Sequence, residues 1–260
     1  MNILVSNDDG INASGIRHLI EALRSVEDAK IYVYAPDGQR SASGHSISTA
    51  SGPIFIKDVE IPGTEQAVAL SGTPADCVKC GIKMLRNNQG IEMDVVFTGI
   101  NHGSNVGTDI YYSGTVSAAF EGIFNGVPAV AVSVGTHHPT EEQLANCATI
   151  IQDLCVRIVP KLAKNTVLNV NFPNVPPAEL KGLKVCSLGP REYNEKFEVL
   201  TNPRGEKYYW YTGKLVHYEG LPEDLDVIAH QDGYVTVTPL KMDVTDYPLM
   251  DTVEKWNLQY

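Results

Sequence analysis

The sequence predicts an α/β fold in which an open, mostly parallel sheet lies between layers of helices. Short β-branched runs alternate with segments of helical periodicity, which is typical of βαβ units. The runs at 128–134 and 167–171 are apolar nearly throughout, as in parallel strands that are covered on both faces. Because parallel strands need long crossovers, strands separated by helices favour this architecture over an antiparallel one.

Each predicted element has its own local signal. In chain order the signals predict a strand at 2–6, a helix through 16–23, a strand at 31–35, an inserted edge hairpin at 53–70, a helix after Thr73, a strand at 94–98, a helix at 113–125, a strand at 128–134, a helix at 140–157 and a strand at 167–171. Thr73 followed by Pro74 and Thr140 followed by Gln143 are typical helix starts, and Gly126 is a typical stop.

The C-terminal region differs in composition from the rest of the chain. The residues after about Cys186 hold eight of the 12 Tyr and both Trp. We expect a core at 1–187, a β-hairpin arm at 188–232, a strand at 233–240 that rejoins a sheet, and a tail at 241–260. Such aromatic density favours self-association of the arm, with packing on the parent domain as the open alternative.

Charge and composition exclude several classes of protein. Hydrophobic residues make up 43% of the 260 residues and charged residues 20%, as in ordinary globular proteins. The net charge of −11 disfavours binding to nucleic-acid polymers and to anionic membranes. We also expect no signal peptide, because the chain starts like a strand, and no membrane span, because its apolar stretches are too short. The five cysteines do not form a disulfide framework, so we expect the protein in a reducing cytoplasm.

One cysteine pair has the CxxC spacing of redox and zinc sites. Cys77 and Cys80 fall inside the helix predicted after Thr73, and no second Cys or His pair has the spacing that a zinc site needs. We therefore expect small buried side chains here.

Polar residues collect in the loops that follow the predicted strands, at 7–10, 39–46 and 99–105. Such loops meet at the carboxyl edge of a parallel sheet, where ligands bind. Asp8 and Asp9 are adjacent, and Gly10 allows a turn that brings both carboxylates to one point, where their repulsion requires a cation. The neighbouring loops supply Ser and Asn oxygens, and this donor chemistry suits Mg²⁺ or Mn²⁺. The alternative is a solvated turn.

The third loop leads into a helix that begins Ser113-Gly114-Thr115. Free backbone N–H groups, the positive end of the helix dipole and two hydroxyls make this a candidate phosphate site, with an ordinary serine N-cap as the alternative. The sequence has no GxGxxG opening a helix after the first strand, no GxxxxGK and no GxSxG. Dinucleotide, Walker-type and serine-hydrolase sites are therefore disfavoured.

Six short motifs occur in order along the chain: Asn-Asp-Asp-Gly at 7–10, Arg-Ser at 40–41, Gly-Thr-Pro-Ala-Asp-Cys at 72–77, Gly-Ile-Asn at 99–101 continuing to 107, Tyr-Ser-Gly-Thr-Val at 112–116 and Val-Thr-Pro-Leu at 237–240. Taken together, they resemble the SurE family of survival-protein nucleotidases. The resemblance spans almost the whole chain. It implies a Rossmann-like three-layer core with a swapped C-terminal arm, in a homodimer or homotetramer.

The same resemblance implies divalent-metal-dependent removal of phosphate from nucleoside monophosphates, as by a 5′-nucleotidase, sometimes with 3′-nucleotidase or short-chain exopolyphosphatase activity. One metal ion per subunit would be held by Asp8, Asp9, Ser41 and Asn101, of which Asp8, Asp9 and Asn101 are the catalytic candidates. The phosphate would contact a set of residues in two segments, namely Asn101, Gly103, Ser104, Ser113, Gly114 and Thr115.

Our mechanistic hypothesis is attack on phosphorus by a metal-activated water. Asp226 and His230, four residues apart, are candidates for proton transfer to the leaving group, and His45 is a further one. The rival route forms an aspartyl-phosphate intermediate. The adjacency of Asp8 and Asp9 disfavours it, because two carboxylates that both bind the metal leave no oxygen in line with the leaving group. A non-catalytic nucleotide or phosphate sensor is the alternative function.

Overall fold

The computed structural model describes residues 1–48 and 52–256. Its strands are β1 (Asn2–Ser6), β2 (Lys30–Pro36), β3 (Ile56–Asp58), β4 (Gln66–Leu70), β5 (Val95–His102), β6 (Ala129–Val134), β7 (Val167–Phe172), β8 (Leu183–Val185), β9 (Tyr193–Thr201), β10 (Lys207–Leu215) and β11 (Val235–Leu240). Its α-helices are α1 (Ser14–Arg24), α2 (Pro74–Gln89), α3 (Gly114–Phe124), α4 (Glu141–Arg157), α5 (Asp226–Gln231) and α6 (Tyr247–Glu254).

Nine of these strands form one mixed, mostly parallel sheet in the order β3-β4-β2-β1-β5-β6-β7-β11-β8. The pairs from β4 through β7 are parallel, whereas β3 pairs with β4 and β11 pairs with β7 in antiparallel fashion. The predicted edge hairpin and the return of the last strand to the sheet are both confirmed. The parallel order brings the loops after β1, β2 and β5 to one edge.

Helices cover both faces of the sheet and give it two separate cores. Side chains alternate along a strand, so Ile3 and Val5 pack in the core that includes α1 and α4 residues, whereas Leu4 packs in the core with α2 and α3 residues. The helical periodicity of α1 places Ile16, Leu19 and Leu23 fully inside the first core. The predicted three-layer α/β architecture is confirmed.

The C-terminal region contains the expected antiparallel hairpin. Strands β9 and β10 pair only with each other among the described residues, and every residue of both strands is exposed. The predicted arm at 188–232 is not all hairpin, however, because α5 lies within that range and contacts β11. The predicted tail contains α6, and its residues 257–260 fall outside the described residues. No helix of the described chain has the length and apolar character needed to cross a membrane.

Candidate functional site

A cavity of about 550 Å³ lies at the carboxyl edge of the sheet and brings together residues from distant loops. The four predicted metal ligands, Asp8, Asp9, Ser41 and Asn101, all line it. The predicted phosphate contacts Gly103, Ser104 and Ser113 line it as well. Its lining includes three aspartates and one arginine, so it presents an excess of negative charge that favours a bound cation.

The turn after β1 has the geometry that places two adjacent carboxylates. The Asn7 side chain closes the turn, because its Oδ1 accepts from the Gly10 N–H at 3.2 Å and its Nδ2 donates to the Gly10 carbonyl at 2.9 Å. Gly10 has a φ of +99°, and a Cβ there would lie 3.1 Å from the backbone of Gly38. The predicted turn is confirmed, and its conformation favours glycine at this position.

Asp8 is buried and held by the first turn of α3. Its Oδ1 accepts a 2.5 Å hydrogen bond from the Thr115 hydroxyl. A Cβ on Gly114 would lie 2.9 Å from the Asp8 Cβ and 3.0 Å from the Ser43 hydroxyl, so only glycine leaves room for this packing. Burial and, to a smaller extent, the charge of Asp9 together raise the pKa of Asp8 to about 6, although the hydrogen bond from Thr115 opposes this shift.

The donor set fits a hard divalent cation. Asp9 Oδ2 is buried and has no hydrogen-bond partner among the described residues, which is costly unless a ligand binds it. Asn101 donates its amide N–H to the Gly103 carbonyl at 2.7 Å, so its amide oxygen remains the atom for a ligand. The described residues contain no metal-competent group of three His, Cys, Asp or Glu, so the serine and asparagine oxygens must complete any such site.

The segment around Asn101 differs from the prediction. The strand predicted at 94–98 continues through His102 in β5, so Asn101 lies at a strand end and not in a loop. The pairing with β6 shifts register between Thr98 and Asn101. A shift of this kind redirects the side chains that follow it, and here it precedes a cavity-lining residue.

A buried polar network supports the loop that follows β5. Asn105 donates from its backbone N–H to the Asn171 side chain at 2.7 Å and from its amide to the Ser133 hydroxyl at 2.8 Å. Its carbonyl accepts from the Asn169 amide at 2.8 Å. Because these groups are buried on β6 and β7, the network fixes the loop above the strand ends.

The two hydroxyls at the start of α3 differ in what they can offer a phosphate. The Ser113 hydroxyl accepts from the Val116 N–H at 3.1 Å, as an N-cap, and the Thr115 hydroxyl is committed to Asp8. Thr115 is fully buried. The Ser113 O–H, which lines the cavity, the backbone N–H groups of this turn and the helix dipole therefore remain its contribution to anion binding.

His45 lies outside the cavity and anchors the loop that carries Ser41. Its Nε2 lies 3.2 Å from the carboxylate of the buried Glu121, which also pairs with Lys79 at 3.1 Å. The His45 ring stacks on Phe124 at a centroid distance of 5.1 Å. These contacts indicate a structural role for His45 in holding the loop against α3.

Sequence reasoning missed Arg191. Its guanidinium pairs with Asp109 at 2.5 Å and donates to the Ser104 hydroxyl at 3.2 Å, and all three residues line the cavity. No motif marks this arginine, although it follows Gly189-Pro190 near the change in composition. It adds a positive charge beside a predicted phosphate contact.

Asp226 and His230, the predicted acid/base pair, do not line the cavity. Asp226 is fully buried, and its two carboxylate oxygens accept from the backbone N–H groups of Gly107 and Gly189, each at 2.8 Å. His230 lies behind Gly135 with its Nε2 3.2 Å from the Phe172 carbonyl. These contacts indicate a structural role for Asp226. Its role in proton transfer stays a prediction, which its position outside the cavity does not support.

We expect Asp226→Ala to lower the free energy of unfolding by roughly 2–5 kcal/mol, since two buried N–H groups lose their acceptor. Chemical denaturation measures this change, and Asp224→Ala, at an exposed aspartate two residues away, is the matched control. Unchanged stability with a selective loss of phosphate release would instead favour the acid/base role.

We expect His230 to make the fold sensitive to acid. Burial, with a smaller contribution from the charge of Arg191, lowers the pKa of His230 from 6.5 to about 4. Between these two pH values the unfolded chain binds a proton that the folded chain does not, so stability falls as the pH drops from 6.5 toward 4, by up to about 3 kcal/mol. Denaturation at several pH values should show a flatter profile for His230→Gln than for the exposed control His217→Gln.

Comparisons with known proteins agree with the motifs. The family model described as "Survival protein SurE" matches residues 3–195. The chain is 40% identical over 258 residues to a protein named 5′-nucleotidase SurE from Carboxydothermus hydrogenoformans, covering 98% of this chain and 96% of that protein. It is 43% identical over 256 residues to the protein of that name from Pelotomaculum thermopropionicum, covering 98% of this chain and 95% of that protein. The crystal structure of the SurE protein from Aquifex aeolicus matches with a TM-score of 0.81 at 35% identity, covering 99% of this chain and 100% of that one.

Proposed function

This chain belongs to the survival protein SurE family, and from that premise we propose that it is a divalent-metal-dependent 5′-nucleotidase that hydrolyses nucleoside monophosphates. The observation that carries the proposal is the convergence of Asp8, Asp9, Ser41 and Asn101 on one cavity beside the N-terminus of α3. Two carboxylates, a hydroxyl and an amide form an oxygen donor set, and a helix start is an anion site. We include 3′-nucleoside monophosphates and short polyphosphates as further candidate substrates.

Asp8, Asp9, Ser41 and Asn101 would hold one Mg²⁺ or Mn²⁺ per subunit. When bound, such an ion withdraws charge from a phosphate oxygen and lowers the pKa of a water molecule, which supplies a nucleophile at neutral pH. The buried Asp9 Oδ2 atom, for which residues 1–48 and 52–256 offer no hydrogen-bond partner, supports this assignment.

The chain's own residues contribute orientation and charge. Thr115 fixes the Asp8 carboxylate through its hydroxyl, and Gly114 lets the helix start approach it closely. The N–H groups of that start would bind the phosphate oxygens, and Arg191 would orient Ser104 toward them. Because Asp8 Oδ1 accepts from Thr115 and Oδ2 would bind the metal, neither oxygen of this carboxylate is left for attack on phosphorus, and direct attack by water fits better. A stoichiometric aspartyl-phosphate trapped by acid quench would contradict the direct route.

The experiment that tests the function is phosphate release from 5′-AMP, 3′-AMP and tripolyphosphate, each with Mg²⁺ and with Mn²⁺. Turnover of 5′-AMP at rates typical of enzymes supports the proposal, and the other two substrates set the breadth of the activity. Binding of 5′-AMP without phosphate release under any of these conditions would favour the alternative, a non-catalytic nucleotide sensor.

We also place the protein in the cytoplasm as a homodimer or homotetramer. All five cysteines are free thiols, which suits a reducing compartment. The hairpin exposes large apolar side chains such as Phe197, Tyr209 and Trp210, which favours a second copy as its partner. Analytical ultracentrifugation measures the oligomeric state directly.

A further inference from the structure

A second cleft, of about 660 Å³, opens beside the metal and phosphate cavity. The two share five lining residues, which are Ala42, Asp109, Tyr112, Arg191 and Tyr193. The second cleft extends from this shared wall to the hairpin, where Glu195 and Tyr211 line it. The cleft therefore adjoins the cavity along this shared wall. Its volume lies within the range of about 300–1,000 Å³ that is typical of ligand pockets.

The cleft presents aromatic rings whose positions are fixed by neighbouring groups. The Tyr211 ring stacks on Phe197 at a centroid distance of 4.8 Å and an interplanar angle of 24°, and its hydroxyl donates to Glu195. The Tyr193 hydroxyl donates to Asp109 at 2.7 Å. Tyr112, which lines both spaces, is 70% exposed, so its ring is accessible to a ligand.

We propose that this cleft binds the nucleoside part of the substrate, with the base in contact with both Tyr112 and Tyr211 and the ribose near Glu195. The inference rests on the proposed function, and it adds where the rest of the nucleotide lies. Tyrosine rings stack with any base, because every base has a π-face. Carboxylate and threonine oxygens accept from ribose hydroxyls, and Glu195 and Thr212 supply them.

The test compares Tyr211→Ala and Tyr112→Ala with the wild type on two substrates. We expect KM for 5′-AMP and Ki for adenosine to rise about tenfold in both variants, with kcat nearly unchanged. For ribose 5-phosphate, which has no base, we expect kcat/KM to stay within about twofold. Tyr211→Phe keeps the ring and should keep wild-type affinity for adenosine. Because the Tyr112 side chain is exposed, its removal does not endanger folding.

Tyr208→Ala is the matched control, since Tyr208 lies three residues before Tyr211 and so on the opposite face of β10. Size-exclusion chromatography confirms that each variant keeps the wild-type oligomeric state. Equal losses on 5′-AMP and ribose 5-phosphate, no loss in either variant, or the same loss in Tyr208→Ala would overturn the inference. If the wild type releases no phosphate from 5′-AMP, the proposed function itself fails, which is a different result.

Discussion

Asp8→Asn is expected to lower kcat/KM for phosphate release from 5′-AMP by about a thousandfold or more. The change keeps the shape of the side chain, and an amide oxygen can still accept from Thr115. It removes the negative charge that would hold the metal, and loss of a single charge-stabilising group in an active site costs on the order of 100- to 1,000-fold. Steady-state kinetics at saturating Mn²⁺ measures the effect.

The fold should tolerate the same substitution. Burial and the charge of Asp9 already disfavour the ionised form of Asp8, as the raised pKa of about 6 shows. Removing that charge relieves both costs, so we expect the metal-free variant to melt at or above the wild-type temperature. Asp58→Asn, at an exposed position on β3, is the matched control and should retain full activity. Activity comparable to the wild type in Asp8→Asn would contradict the metal assignment.

Removal of divalent metal is expected to reduce phosphate release to background, and added Mn²⁺ or Mg²⁺ should restore it. Without a cation, Asp8 and Asp9 repel each other and the Asp9 Oδ2 atom has no hydrogen-bond partner within the part of the chain that the structure describes, so metal binding should also stabilise the fold. We therefore expect Tm to rise with metal concentration, because a ligand that binds only the folded state stabilises it.

The stability readout separates metal binding from catalysis. In Asp8→Asn the rise of Tm with Mn²⁺ should shrink markedly, whereas Asp58→Asn should respond like the wild type. Full activity after exhaustive chelation, or an unchanged Tm response in Asp8→Asn, would exclude the proposed ligand set. A Tm response without turnover would support the site but favour a sensor.

Elements with strong local signals could be predicted closely from the sequence. The first strand was expected at 2–6 and is Asn2–Ser6, and the helix expected after Thr73 begins at Pro74 with Thr73 as its cap. A helix cap and an apolar repeat involve residues that are close together in the chain, so they can be recognised in a single sequence. The loops after parallel strands must converge at one edge, and for this reason the cavity at the ends of β1 and β5 could also be anticipated.

Features that depend on distant partners could not be predicted in this way. The strand β5 extends past Thr98 because it pairs with β6, and pairing is a tertiary property. Asp226 accepts from Gly107, 119 residues away in sequence, so the chain gives no hint that this carboxylate is structural. Arg191 has no motif around it, and only the folded chain places it beside Asp109 and Ser104.

The close approach of the α3 start to the first turn has a consequence for mutational screens. Position 114 contributes no functional group, yet a single added methyl would collide with the Asp8 side chain. In a deep mutational scan that measures only activity, substitutions of Gly114 would therefore reduce activity as substitutions of a catalytic residue do. The absence of a side chain at position 114 is therefore as necessary as the reactive groups themselves. Variants of this pocket made for another phosphoester must keep glycine there.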